Sequence, residues 1–390
     1  MSNKRPADGE VVRLGKLIVK AKVERCGDRN LPVFSMTMHN GIVRQSDRFK
    51  KTVASKDTSD YKVVFPNQLV VGFPIDEGVI YVQHFDGLGI MSPAYNVWDI
   101  DTNMVLPAYL ELALHSPQSM EYYATQMKGT TARRRTLSAD KLCAMRIPLP
   151  TLTQQKSIVK LFEQVKESLS IAEIRLSKLD ELVKSRFVEM FGDPFANDFG
   201  WEERRLGDLL AIARGGSPRP IKEYLTDSPD GINWIKIGDA EPNSRYITRT
   251  AEKIKPEGEK KSRKVKSGDF LLSNSMSFGK PYILTIDGCI HDGWLVLSDY
   301  EEHFNKLFLW ELLDSPALKM KFSSSVRGGV VNNLNKDLVA DTVVPVPSLS
   351  LQCKFADFAT HVDKLRTETQ RQKQDLQTLY DSLAQEYFAM

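Results

Sequence analysis

Two long stretches of the chain carry apolar residues at alternating steps of three and four. In the first, Ile158, Phe162, Val165, Leu169, Ala172, Leu176, Leu179, Val183, Phe187 and Met190 fall on one narrow stripe. In the second, the stripe runs through Phe355, Phe358, Val362, Leu365, Thr369, Gln372, Leu376, Leu379, Leu383 and Glu386. This spacing predicts helices over about 151–191 and 351–390, each with a seam made to face another helix. Thr153 is the expected N-cap of the first, and Gly192, followed by Pro194, its stop. About 38 helical residues give a rod of roughly 57 Å. The polar seam positions Thr369, Gln372 and Glu386 fix register at some cost in stability. The chain must reverse between the two stretches, so they are expected to close on each other as an antiparallel coiled coil. Pairing with another subunit is the alternative.

Outside these helices the pattern is short and β-rich. Val63–Phe65, Leu69–Phe73 and Gly78–Gln83 read as strands broken by Pro66-Asn67 and by Asp76-Glu77-Gly78. A helix opened by Pro107 is expected over about 107–127. The chain also repeats itself. Pro148, Pro150, Leu152, Gln155, Val165, Leu179 and Phe191 recur 197 positions later as Pro345, Pro347, Leu349, Gln352, Val362, Leu376 and Phe388. Arg13-Leu14-Gly15-Lys16-Leu17 is answered by Arg205-Leu206-Gly207-Asp208-Leu209, and Leu114-His115-Ser116-Pro117 by Leu313-Asp314-Ser315-Pro316. Such a period is too long for a solenoid unit; it is a whole module plus a helix, duplicated. The plan is a disordered tail (1–10), a module (11–150), a spacer helix (151–192), a second module (193–347) and a second spacer helix (348–390). The fold class is α+β with pseudo-two-fold symmetry. Between the shared anchors the modules diverge, as two readers of different targets would, or as drift after duplication would.

Composition adds bounds. The hydrophobic fraction of 42% and charged fraction of 26% are ordinary for a globular protein. A net charge of +3 permits a nucleic-acid partner without requiring one. Four scattered cysteines without a CxxC pair suggest reduced thiols and a cytoplasmic location. No apolar run is long enough to cross a bilayer, and the polar start has no signal-peptide core. A P-loop, an H-E-x-x-H metal motif, a metal-ligand cluster and an Asn-Pro-Pro-aromatic methyltransferase tetrapeptide are all missing from the sequence. The chain does not read as a catalyst, and no metal or cofactor of its own is expected.

Binding residues are more visible. Arg133, Arg134 and Arg135, at the end of the first module, want phosphate or an acidic surface; a solvated face is the alternative. The matching place in the second module, Arg327 to Asn333, offers glycines for close approach, and its amides Asn332 and Asn333 suit adenine edges. Lys253 to Lys266 carries seven basic residues against two acids and suits a phosphate-contacting edge or a plain solvated loop. Arg214-Gly215-Gly216-Ser217-Pro218-Arg219-Pro220 joins Arg214, Ser217 and Arg219 in one polar loop, and Lys236, Ser275 and Lys280 add polar groups beside strands. Trp234 and Trp294 read as core.

Taken together, Arg214–Pro220, Trp234–Asp239, Gly268–Ser275 and Gly288–Trp294, with Val330–Asn335 leading into Pro345-Val346-Pro347, resemble a target-recognition domain of the specificity (S) subunits of type I restriction-modification enzymes. The resemblance covers nearly all of the chain and is looser in the first module, where Arg135-Thr136-Leu137 departs from Asn333-Leu334-Asn335. It implies a subunit that binds a split double-stranded DNA target, one half per recognition domain, with the helix pair setting the gap. It also implies docking of two adenine methyltransferase (M) subunits, which bring S-adenosylmethionine, and of restriction (R) subunits, which use ATP and Mg. Two rivals stand beside it: a protein scaffold built from the same duplicated module and coiled coil, and an enzyme acting unaided. Neither has a motif in this sequence.

Overall fold

The computed structural model describes residues 10–38, 40–48, 57–126, 136–194, 196–241, 244–274, 279–324 and 334–389. They fall into two compact units, Met1–Glu173 with Gln370–Met390, and Ile174–Thr369. Each long helix is shared between the units.

In the second unit one antiparallel-dominated sheet places Ala211–Arg214, Trp294–Ser298, Phe270–Ser273, Pro281–Leu284 and Tyr246–Ile247 side by side. Its strands are apolar on both faces, as a sheet covered on both sides must be. Phe270, Leu272, Leu295 and Leu297 point to a core shared with the helix Lys306–Asp314 and the long helices. The alternate residues Leu271, Trp294 and Val296 point to a second core with Ile235, Val265 and Ile290. That core lies against a second sheet, ordered Leu225–Thr226, Glu252–Ile254, Ile232–Ile235, Gly288–Ile290 and Arg263–Val265. The last of the chain's passages between the two sheets is a short turn, His291–Gly293, between Gly288–Ile290 and Trp294–Ser298. Trp234 and Trp294 are both buried.

The first unit repeats the main sheet with four strands, Ile18–Lys20, Asn96–Ile100, Leu69–Val71 and Ile80–Val82. Leu69 pairs with Val82 and Trp98 as Phe270 pairs with Ile283 and Leu297. The fifth strand marks the difference. In the second unit the outer N–H of Ile283 donates to Arg245 O (2.9 Å). In the first, the equivalent N–H of Val82 donates instead to the Glu111 carboxylate (2.6 Å), which also meets His84 Nε2 at 3.1 Å. Either way the edge N–H is satisfied rather than left to pair with a stranger. Arg245 itself is buried: its guanidinium donates to Asp363 Oδ2 (2.8 Å) and Glu311 Oε1 (3.1 Å) and stacks over Trp310 at 4.3 Å.

The frame around each sheet is duplicated. Glu10–Arg13 pairs with Arg146–Leu149, and Glu203–Arg205 with Val343–Pro345. Gly15 lies so close to Cys143 that an added Cβ would sit 2.9 Å from its Cβ; Gly207 meets Ala340 at the same distance.

The helices are Leu152–Phe191 and Leu349–Phe388, 40 residues each, or about 60 Å of rise. In the first unit Phe162 packs against Tyr380 and Phe388, with ring centroids 5.1 and 5.8 Å apart. In the second, Phe187 and Phe191 pack against Phe355 at 5.4 and 5.7 Å. The start of one helix therefore meets the end of the other, and the pair is antiparallel. On the first helix Ile158, Phe162, Val165, Ala172, Val183 and Phe187 are buried, and Leu169, Leu176 and Leu179 half-buried.

The second helix requires a correction. Phe355, Val362 and Thr369 are buried and Phe358, Leu376 and Leu383 half-buried, but Leu365 and Leu379 are 48% and 45% exposed, and Gln372 and Glu386 are exposed too. The seam runs instead through Ala359, Arg366, Lys373, Tyr380 and Tyr387, one position further on. Arg366 reaches Asp180 (3.4 Å) and Lys373 reaches Glu173 (2.8 Å) on the facing helix. Long cationic side chains cover apolar surface with their stems while their heads pair at the rim, so hydrophobicity alone selected the wrong neighbours.

Smaller expectations shift as well. The helix foreseen over 107–127 is two, Pro107–Leu114 and Pro117–Gln126, because Pro117 has no N–H to continue the first. The three strands are Lys62–Val64, Leu69–Val71 and Ile80–Val82. The helix cap is Thr151, not Thr153: its hydroxyl accepts from Gln154 N–H (3.3 Å), while Gln154 Oε1 accepts from Thr151 N–H (2.9 Å), a reciprocal capping box. Gly192 ends the helix with φ +76°. Glu10 lies in the first strand, while the rest of the expected tail is outside the described residues.

Candidate nucleic-acid interface

The turn His291–Gly293 organises the polar loop that follows Ala211–Arg214. Gly215 N–H donates to Trp294 O (2.9 Å) and Gly216 N–H to Ile290 O (3.1 Å), so the loop lies flat on the turn. A Cβ on Gly215 would stand 2.0 Å from His291 O, so only glycine fits there. Asp292 is the hub. Its carbonyl accepts from Arg214 Nε (3.3 Å) and from the buried Asn274 Nδ2 (2.8 Å). Its carboxylate accepts from Ser217 Oγ–H (2.7 Å) and faces Arg219 at 3.6 Å. The Ser217 hydroxyl is the main reason the carboxyl titrates below its ordinary range, and burial only partly opposes it.

His291 sits beneath the loop. Backbone N–H groups of Ile237 and Gly293 point at its Nε2 (3.0 Å) and Nδ1 (2.7 Å). Burial lowers its affinity for a proton and so favours the neutral ring, in which one of the two nitrogens accepts.

Arg214, Ser217 and Arg219 thus converge on one turn. Arg263 joins them, donating from Nε to Arg214 O (3.4 Å). Arg214, Arg219, Lys261 and Arg263 are all exposed. Lys261 also donates to the Tyr224 hydroxyl (2.5 Å). Lys236 approaches the turn through Ile237, yet its ammonium pairs with Glu252 at 2.7 Å. Lys280 enters the same corner by its backbone, donating N–H to Ser273 Oγ (3.1 Å). Its ammonium turns over the Tyr282 ring (5.3 Å), where burial depresses its pKa. Arg133, Arg134, Arg135, Ser275, Asn332 and Asn333 lie outside the described residues. Within Lys253 to Lys266, Lys264 is paired with Glu259 (2.9 Å), and Lys255 donates to Glu223 O (2.7 Å).

Sequence reasoning did not single out Arg263, Asn274 or Asp292 individually. The signal for Asp292 was its place between His291 and Gly293 in a short segment linking two strands; nothing local tied it to Ser217, 75 residues away. No group of three or more His, Cys, Asp or Glu suited to a metal occurs among the described residues. Among them, too, no helix is long and apolar enough to cross a membrane.

The whole cluster lies inside residues 199–377, which match the family described as the type I restriction modification DNA specificity domain. That match takes in somewhat under half of the chain, and over it the chain is similar to the type I restriction-modification specificity family. A curated member, the putative type I restriction enzyme MjaX specificity subunit of Methanocaldococcus jannaschii, is 20% identical over 284 residues. That match takes in 70% of this chain and 65% of the relative, so the chain spans somewhat under two thirds of the relative's length. Among solved structures, a chain from a study of complex assembly and conformational transition of the type I R-M system is 18% identical. Its TM-score is 0.65, with 100% of both chains covered. The type I restriction-modification S subunit of M. genitalium is 15% identical with a TM-score of 0.57, covering 100% of this chain and 98% of that one. At these identities the likeness is one of fold, and it extends over residues 1–198, which the specificity-domain match does not reach.

Proposed function

We propose that this chain is the DNA-binding specificity subunit of a type I restriction-modification system, with each recognition domain reading one half of a bipartite duplex target. The observation that carries this reading is the exposed cation cluster of Arg214, Arg219 and Arg263, seated on a turn fixed by Gly215 and Asn274, inside the specificity-domain segment. Cations on a rigid turn hold phosphates, and the side chains between them face base edges. Arg133–Arg135, Ser275, Asn332 and Asn333 are proposed as further contacts in loops of the same kind, with Lys236 and Lys280 at the margin. The chain carries no chemistry of its own in this reading. M subunits supply S-adenosylmethionine-dependent adenine methylation, R subunits supply ATP- and Mg-dependent restriction, and the assembly works in the cytoplasm.

The paired helices set the distance between the half-sites. The test is to remove or add two whole turns of coiled coil, in both helices together, and to sequence the methylated sites in cells carrying the variant with its methyltransferase. The expected result is a changed gap with both half-sequences retained. A gap indifferent to helix length, in an otherwise methylating complex, overturns the spacer role.

A further inference from the structure

A carboxylate at the centre of a cation cluster weakens phosphate binding, so its presence needs a reason. The fold uses only one of its oxygens: Arg214 Nε and Asn274 Nδ2 bind the Asp292 carbonyl, and Ser217 Oγ, which takes Asp292 N–H at 3.4 Å, engages the side chain through Oδ1 alone. Oδ1 takes the Ser217 hydroxyl at 2.7 Å, while among the described residues Oδ2 faces Arg219, at a distance of 3.6 Å that exceeds a hydrogen bond, and the side chain is 46% exposed. Arg219 is 82% exposed, so moving it away costs little packing. The result is a half-exposed carboxylate fixed at one oxygen, whose other oxygen has an exposed guanidinium beside it in the free protein.

In the major groove such an acceptor is complementary to an exocyclic amino group, N4 of cytosine or N6 of adenine, and repels the O6 of guanine and O4 of thymine. We propose that Asp292 is a specificity-determining residue of the second recognition domain. It accepts from the amino group of a cytosine or adenine in the half-site, while Arg219 swings from the carboxylate to a neighbouring phosphate. The proposal rests on the DNA-reading function above and names the base chemistry read at one position. The low proton affinity of Asp292 keeps the acceptor ionised at working pH.

The test is selection from a random duplex library by the full chain in complex with its methyltransferase, for wild type, Asp292→Asn, Asp292→Ala and Ser217→Ala. Asp292→Asn keeps an oxygen for Ser217 and replaces the other oxygen with a donor. One position of one half-site should then move from cytosine or adenine toward guanine or thymine, by about tenfold in relative enrichment. Asp292→Ala should leave that position degenerate, and Ser217→Ala, which frees the rotamer, should blur it partly. The other half-site serves as the folding control and should be unchanged in all three. An unaltered motif in both Asp292 variants overturns the proposal and leaves Asp292 as a loop organiser. A wild-type complex that selects no motif overturns the DNA-reading function itself.

Discussion

Gln155 and Gln352 make the same three hydrogen bonds, one residue in each unit. Gln155 Nε2 donates to Met104 O (3.1 Å) and Pro150 O (2.8 Å), and its Oε1 accepts from Leu106 N–H (2.8 Å). Gln352 donates to His303 O (3.0 Å) and Pro347 O (2.8 Å) and accepts from Asn305 N–H (2.7 Å). Both side chains are fully buried. Each joins the first turn of a long helix to the loop that precedes the module's own helix. Replacing either by Leu removes all three bonds from a fully buried side chain, and is expected to cost about 3 kcal/mol. Urea unfolding of the full chain followed by far-ultraviolet circular dichroism checks this, and a loss under about 1 kcal/mol contradicts it.

The phase of the second helix gives a sharper contrast. Phe355 is fully buried, and Phe355→Ala should destabilise by about 3–5 kcal/mol. Leu365→Ser should change stability by no more than about 0.5 kcal/mol, because Leu365 faces solvent. Equal losses in thermal melts would restore Leu365 to the seam.

The buried Arg245 cluster predicts a pH dependence. One guanidinium serves both Glu311 and Asp363, and burial raises the Glu311 carboxyl from its ordinary 4.5 to about 7, with Arg245 opposing. A carboxyl that holds its proton more tightly when folded stabilises the fold fully below its unfolded pKa. That stabilisation is lost as pH climbs toward the folded value. Stability should therefore fall between about pH 4.5 and 7 and level off above. Glu311→Gln, neutral throughout, should flatten that slope in a series of melts. A slope unchanged in the variant assigns the dependence to other groups.

In DNA binding, Arg214→Ala and Arg263→Ala should each weaken affinity for all duplexes alike and reduce the salt slope by about one. Fluorescence anisotropy from low to moderate salt measures both. A changed sequence preference with an intact salt slope would make the residue a base reader instead.

The sequence carries the long helices openly, since a stripe at steps of three and four needs no tertiary information. It also carries the duplication, because the frame positions Gly15 and Gly207, Gln155 and Gln352 are fixed by close packing and buried polar satisfaction. On the second helix half of the seam was hidden, because Arg366, Lys373 and Tyr380 occupy positions beside the more apolar or equally polar Leu365, Gln372 and Leu379. Arg214, Ser217 and Arg219 are legible as one loop, but their meeting with Asp292 and Arg263 depends on strand register across 49 to 78 residues. No local pattern encodes that.

The strand pairs, the Gly15–Cys143 and Gly207–Ala340 contacts and the two buried glutamines all lie outside the sheet interiors that differ between the units. Recombination within these matching borders would therefore deliver a new interior already joined to a compatible mount. Exchange of one interior for another should preserve the contacts by which each module is held to its long helix.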